Sequence, residues 1–265
     1  MNTADLIAAL NLPDSAQVDQ RVPKKLLVEN GAPTAADKRL INEGIEEIQW
    51  LSALKPTTIG VPEYRDEARE YLEIAVLVIT LRADAKAGRL AELAHRAIPY
   101  PVFLMLAGDA SLSLSLAHKR WAQNEAGKVV LDGAAVEVHL TKSQDAQPMQ
   151  GFLTALALAN QPRAHLLALY QGWMDTLIAY QVAGKTGQFV LADSPEQTAA
   201  RRQALRDSQE LEVKIVSLRT QANREKQLAR RVELNLELQR LQHELESATQ
   251  KMTLSGYLSK AKTRN

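Results

Sequence analysis

The residues best suited to chemistry fall in a few short stretches. His118-Lys119-Arg120-Trp121 sets three cationic or ionisable groups beside an indole. At a strand end such a run can grip a phosphate and stack a base; the alternative is a solvated strand end with Trp121 capping the core. Glu70 and Glu73 flank the start of an apolar run. Paired carboxylates there can hold a divalent metal in nucleases, or form salt bridges to Arg65 and Arg69. The usual nuclease pattern adds an acid-x-lysine on the next strand, and Glu73 to Leu81 has no lysine. His95 precedes Pro99-Tyr100-Pro101 and reads as a base or metal ligand, or as a helix C-terminal histidine favoured by the helix dipole.

Other chemistries find no support in the spacing. His139 and His165 stand apart without HxH, HxxxH or HExxH, so no metal site is expected. Gly184-Lys185-Thr186-Gly187 lacks the upstream glycine of a phosphate loop, and neither a GxSxG nor a dinucleotide fingerprint occurs. With no cysteine there is no thiol nucleophile and no thiolate zinc site. No catalytic residue and no cofactor is assigned, and a non-enzymatic role is the expectation.

A second group of charges lies near the C-terminus. Arg219, Arg224, Lys226, Arg230 and Arg231 form a basic belt opposed by Glu225, and Lys251, Lys260, Lys262 and Arg264 follow with no acid after Glu246. Residues 196–265 hold 14 Lys+Arg against 9 Asp+Glu, leaving 18 against 22 for residues 1–195. A mildly acidic body with a basic arm points to a nucleic-acid or protein partner, or to a solvated helix face.

The elements that must position these groups can be read from periodicity. Short helices are expected at residues 3–10 and, after Pro23, over Lys24 to Glu29. Thr34 reads as an N-cap with Asp37 as its capping-box partner. Ala35 to Leu54 carries apolar residues at Leu40, Ile41, Ile45, Ile48, Leu51 and Leu54, which predicts one helix. Leu72 to Leu81 is dense and β-branched, a strand buried on both faces. A helix over Ala87 to Ala97, a strand over Val102 to Leu106 and the alternating SLSLSL of Ser111 to Leu116 follow, the two strands joined around Gly108-Asp109. Lys128 to Leu131 and Ala135 to Leu140 read as a second hairpin around Asp132-Gly133. Helical spacing returns with Phe152, Leu153, Leu156 and Leu158, then with Leu166 to Tyr180.

The last quarter reads as a long helix starting at Pro195. Leu211, Ile215, Leu218 and Ala222 form one heptad seam, and Leu234, Leu238, Leu241, Leu245, Ala248 and Met252 another. The seams are out of register and Glu225 interrupts the first, so a stutter or bend is expected between about Gln221 and Val232. A continuous helix would be on the order of 85 Å long. It must pair with a second copy, fold back as a hairpin or lie on a partner.

The expected fold is therefore α+β: a mostly antiparallel sheet of about five strands flanked by helices, plus a long C-terminal coiled-coil helix. The body spans residues 1–190, with a helical part over about 1–56, the sheet over about 70–140 and a helical cover over about 147–184. The coiled-coil helix spans 195–253 and a basic tail 254–265. The N-terminus lacks a basic region and a long apolar stretch, and no window reaches the ~18 apolar residues of a membrane span. A cytoplasmic, soluble protein is expected.

Several stretches, taken in order, resemble a bacterial family known as domain of unknown function 4391. They are VPKK at Val22–Lys25, DKRLI at Asp37–Ile41, LKPTTIGVPEY at Leu54–Tyr64, EYLEI at Glu70–Ile74, HRAIPYP at His95–Pro101 and SLAHKRW at Ser115–Trp121. The likeness runs over about residues 10–250. Genes of that family often lie beside helicases, DNA methyltransferases and restriction-type endonucleases. The resemblance implies an accessory part of a restriction-modification-like or anti-phage system, docking on such a partner, and brings no catalytic residues. Homodimerisation through the C-terminal helix and contact with DNA are the further partner expectations. A nucleic-acid-binding protein and a metal-dependent nuclease built on Glu70, Glu73 and His95 are the alternatives.

Overall fold

The computed structural model describes residues 2–109, 111–123, 125, 127–140 and 146–262, with side chains over 147–253 in the last stretch. The chain forms two compact units, Met1–Leu177 and Ile178–Asn265.

In the first unit α1 (Thr3–Leu10) is followed by β1 (Gln17–Arg21), α2 (Lys24–Gly31) and α3 (Ala35–Gly44). Thr34 Oγ1 accepts from the Asp37 amide at 3.1 Å and starts α3 as its spacing predicts. The expected helix over Ala35–Leu54 stops halfway, because Ile45–Leu54 is a strand, β2. A short α4 (Pro56–Ile59), the small pair β3 (Tyr64–Arg65) and β4 (Glu70–Tyr71), and β5 (Ile74–Leu81) come next. The pairing of β2 with β5 accounts for its helix-like spacing. Ile45, Ile48 and Trp50 oppose Leu81, Ile79 and Leu77, with register shifts between Ile45 and Glu47 and between Trp50 and Ser52. Each shift adds a residue to one strand. Same-face residues then step by three as well as two, which imitates a helix.

α5 (Ala87–Ala97) carries the chain to β6 (Val102–Ala107), and β7 (Leu112–Leu116) returns beside it. β8 (Lys119–Trp121), β9 (Val129–Leu131), β10 (Val136–Leu140), α6 (Ala146–Leu156) and α7 (Leu166–Thr186) follow. The expected hairpin around Asp132-Gly133 does not form. β9 pairs with β8, whereas β10 pairs with β7 and sets Val136, Val138 and Leu140 opposite Leu116, Leu114 and Leu112. Matching apolar alternation decides this partner.

The main sheet thus has six strands in the order β1-β2-β5-β6-β7-β10. It is antiparallel except for β5 and β6, which run parallel across the α5 connection. Leu27, Ile41, Leu90, Leu93 and Ala94 of α2, α3 and α5 cover one face over Ala75, Leu77, Ile79 and Leu104. On the other face Phe103 packs edge-on to Trp173 of α7, ring centres 5.0 Å apart. β5 is buried on both faces, as its composition predicts.

In the second unit α8 (Pro195–Arg224) starts at the Ser194 cap, and α9 (Leu228–Lys262) follows after three residues. Glu225 is extended at φ −73 and ψ 126, and its carboxylate accepts from the Gln227 amide at 2.8 Å. The helix is therefore interrupted there, and α9 packs back along α8. Ile215, Ala222, Leu234 and Leu238 are buried together, with Leu218, Leu241 and Leu245 packed against them and Leu211 half-buried. A single rod would leave both seams in water; the turn lets each cover the other. Among the described residues no helix is long and apolar enough to cross a membrane.

Candidate functional site

The first unit holds a cavity of about 380 Å³ where β4, the turn before β6, β8 and β9 meet. Glu70, Glu73, Tyr100, Lys119, Arg120 and Trp121 line it, and Leu72, Pro99 and Val129 complete its walls. The segments are joined by backbone and charge. Trp121 N–H donates to the Ala68 carbonyl at 2.8 Å, and Arg69 Nε donates to Asp132 at 2.9 Å, tying the β3–β4 turn to the end of β9.

Each charged group around the cavity is anchored. Glu73 is paired with Lys55 at 3.0 Å and Glu70 with Arg65 at 3.7 Å. Arg120 reaches Asp132 at 3.6 Å, with Asp132 already held by Arg69. Lys119 is 3% exposed; its ammonium donates to the carbonyls of His95 and Ile98, the latter at 2.5 Å. It therefore caps the C-terminal end of α5. Burial pushes Lys119 down to about 7. Burial raises Tyr100 as well, with Glu73 adding to the shift.

His118 faces away from this cavity. Gln171 donates to Asp175 at 2.7 Å, which turns its amide oxygen to His118 Nε2, also at 2.7 Å. Nε2 then carries the proton, and Nδ1 accepts from the Tyr71 hydroxyl at 2.5 Å. The four consecutive residues His118–Trp121 thus split: His118 belongs to an internal network, Lys119 caps a helix, and Arg120 and Trp121 are half-exposed beside the cavity. They do not form one phosphate grip.

The three residues of the nuclease reading separate too. Glu70 and Glu73 share the cavity, but the His95 ring is fully buried, with Nε2 3.0 Å from Ser115 Oγ. Burial and the neighbouring Lys119 charge push it down to about 3. Ser115 in turn donates to Glu137 at 3.3 Å. An acyl-transfer triad needs the histidine between serine and carboxylate; here the serine is in the middle. Among the described residues no cluster of His, Asp and Glu could hold a metal.

Tyr100 was not nominated by its sequence. Between two prolines it reads only as a strand entry, and its neighbours Glu73 and Trp121 come from distant segments. It stacks on Trp50 with ring centres 6.3 Å apart.

In the second unit Arg219, Arg224, Lys226, Arg230 and Arg231 are all exposed around the α8–α9 turn. Arg230 pairs with Glu233 at 2.6 Å, and the other four have no ionic partner among the described residues. Of the basic tail, the side chains of Lys260 and Lys262, and Arg264 altogether, lie outside the described residues.

No curated protein and no solved structure matches the chain. A family model matches residues 10–245, nearly the whole length, and the chain belongs to that family, described as Domain of unknown function (DUF4391).

Proposed function

We propose that the chain is a non-catalytic accessory protein of a bacterial restriction-modification-like or anti-phage system, working in the cytoplasm and docking on a helicase or methyltransferase. The observation that carries this reading is the outer face of α9. Leu228, Val232 and Leu236 step by four residues and are 67%, 49% and 61% exposed. Val232 and Leu236 lie two residues from Leu234 and Leu238, hence about 200° round the helix from the buried seam. An exposed apolar stripe with helical spacing is what a partner helix or groove covers. The three groups of the nuclease alternative support the same reading, since His95 is buried against Ser115 and both Glu70 and Glu73 are ion-paired.

The test is co-expression with the neighbouring helicase or methyltransferase, followed by size-exclusion chromatography. A joint peak is expected from the wild type and not from Val232→Ser/Leu236→Ser, which should melt as the wild type does. A joint peak unchanged in the double variant overturns the assignment to this stripe. A chain that elutes alone with every neighbouring gene product overturns the adaptor reading.

A second reading, nucleic-acid binding, is favoured by the four unpaired cations at the α8–α9 turn. Binding through them must weaken steeply as salt rises, because each neutralised phosphate releases a counterion. Arg224→Gln/Lys226→Gln/Arg231→Gln should flatten that slope. DNA binding with an unchanged slope removes the turn as the contact.

A further inference from the structure

We propose that the cavity between β4 and β8 takes a nucleotide, with its base against Trp121 and Tyr100, its base-edge donors on Glu70 and Glu73, and its phosphate on Arg120. This does not rest on the adaptor reading, because neither the apolar stripe nor the basic turn of the second unit contributes a group.

Three features of the cavity converge on this ligand chemistry. The walls are flat and apolar: two aromatic side chains, with Leu72, Pro99 and Val129, suit a planar ring better than a branched one. The acceptors are carboxylates. Glu73 has one oxygen on Lys55 and Glu70 one on Arg65, and the second oxygen of each has no partner among the described residues. Such acceptors select ring edges that present N–H groups. Guanine offers two adjacent donors, adenine and cytosine an amino group, and uracil or thymine one imino group. The third feature is the cation. Arg120 has Nε 3.6 Å from Asp132, which Arg69 already holds, and donates from Nη1 to the Trp121 carbonyl at 3.1 Å, which leaves its Nη2 for an anion.

Lys119 explains why the floor does not compete. Its side-chain nitrogen donates to the carbonyls of His95 and Ile98, so it closes the cavity floor with those donors already engaged. A volume of about 380 Å³ also suits a mononucleotide, at the lower end of ordinary ligand pockets. A free nucleoside monophosphate and a single nucleotide turned out of a strand present the same base and phosphate.

The experiment titrates the full chain with GMP, CMP, AMP and UMP, and with short single-stranded homo-oligonucleotides, by calorimetry and tryptophan fluorescence. GMP is expected to bind saturably and about tenfold more tightly than UMP. Trp121→Ala should weaken binding about tenfold or more, Trp121→Phe should keep most of it, and Glu73→Gln should narrow the difference between GMP and UMP. Should Trp121→Ala fail to fold, Tyr100→Ala and Trp121→Phe read the same contacts. Equal affinity for monophosphates and strands identifies a free-nucleotide site, and binding of strands alone identifies a site for an unstacked base. The proposal is overturned if neither probe binds the folded chain. It is also overturned if Trp121→Ala and Glu73→Gln bind as the wild type does, or if binding is lost only in the Arg224→Gln/Lys226→Gln/Arg231→Gln variant.

Discussion

The side-chain nitrogen of Lys119 lies 2.5 Å from the carbonyl oxygen of Ile98, just past the end of α5. That contact joins β8 to α5 and closes the cavity floor. Helix-end carbonyls need donors, and a neutral amine still has two N–H groups for the His95 and Ile98 oxygens. With Lys119 lowered to about 7, the unfolded chain binds more protons than the folded one between pH 7 and 10. Stability therefore rises with pH in that window. Lys119→Met should lower the melting temperature, with the loss larger at pH 9 than at pH 6. A loss that shrinks with rising pH would show the charged form to be the favoured one.

His95 works in a lower window. Held neutral down to about pH 3, it leaves the unfolded chain with the extra proton below its ordinary pKa of 6.5. Stability is present above pH 6.5 and is lost as the pH falls toward 3. His95→Leu should flatten this part of the acid unfolding curve and remove the buried Nδ1, which has no hydrogen-bond partner among the described residues. An acid limb as steep as in the wild type would place the titration elsewhere.

Gly31 marks the close approach of α2 to α5. A Cβ there would stand 2.5 Å from the Leu93 carbonyl oxygen and 2.7 Å from the Ala97 Cβ. Gly31→Ala is expected to destabilise by about 1–3 kcal/mol in urea unfolding. Gly184, inside α7 with nothing within 4 Å, is the contrast. Gly184→Ala should stabilise by up to about 1 kcal/mol. Equal effects of the two substitutions would contradict the packing.

Leu238→Asp/Leu241→Asp tests the hairpin. Fully burying one leucine contributes roughly 1.5–3 kcal/mol, so two charges in this small core should open α9 from α8. Helical circular dichroism should fall while the near-ultraviolet signal of Trp173, buried in the first unit, persists. Because the seam closes within one chain, the wild-type transition should not depend on protein concentration. A midpoint that rises with concentration would assign the seam to a second copy.

Local patterns in the sequence determined much of the fold. Within the run LEIAVLVITL, Ile74 to Leu81 is the doubly buried strand its composition predicts, SLSLSL is a strand with unlike faces, Thr34 and Pro195 are helix starts, and Leu234 to Leu245 is a buried seam. Each depends on the period of side chains along one segment, which the residues carry themselves. Tertiary structure alone decided the rest. β2 hides behind helical spacing because its bulges are defined only against β5. β10 prefers β7 to its neighbour β9, and the leucine seams of α8 and α9 meet across a turn. The cavity belongs to this second class. Glu73, Tyr100 and Trp121 lie far apart in sequence, and their meeting depends on which strands pair, a long-range outcome that no local period records.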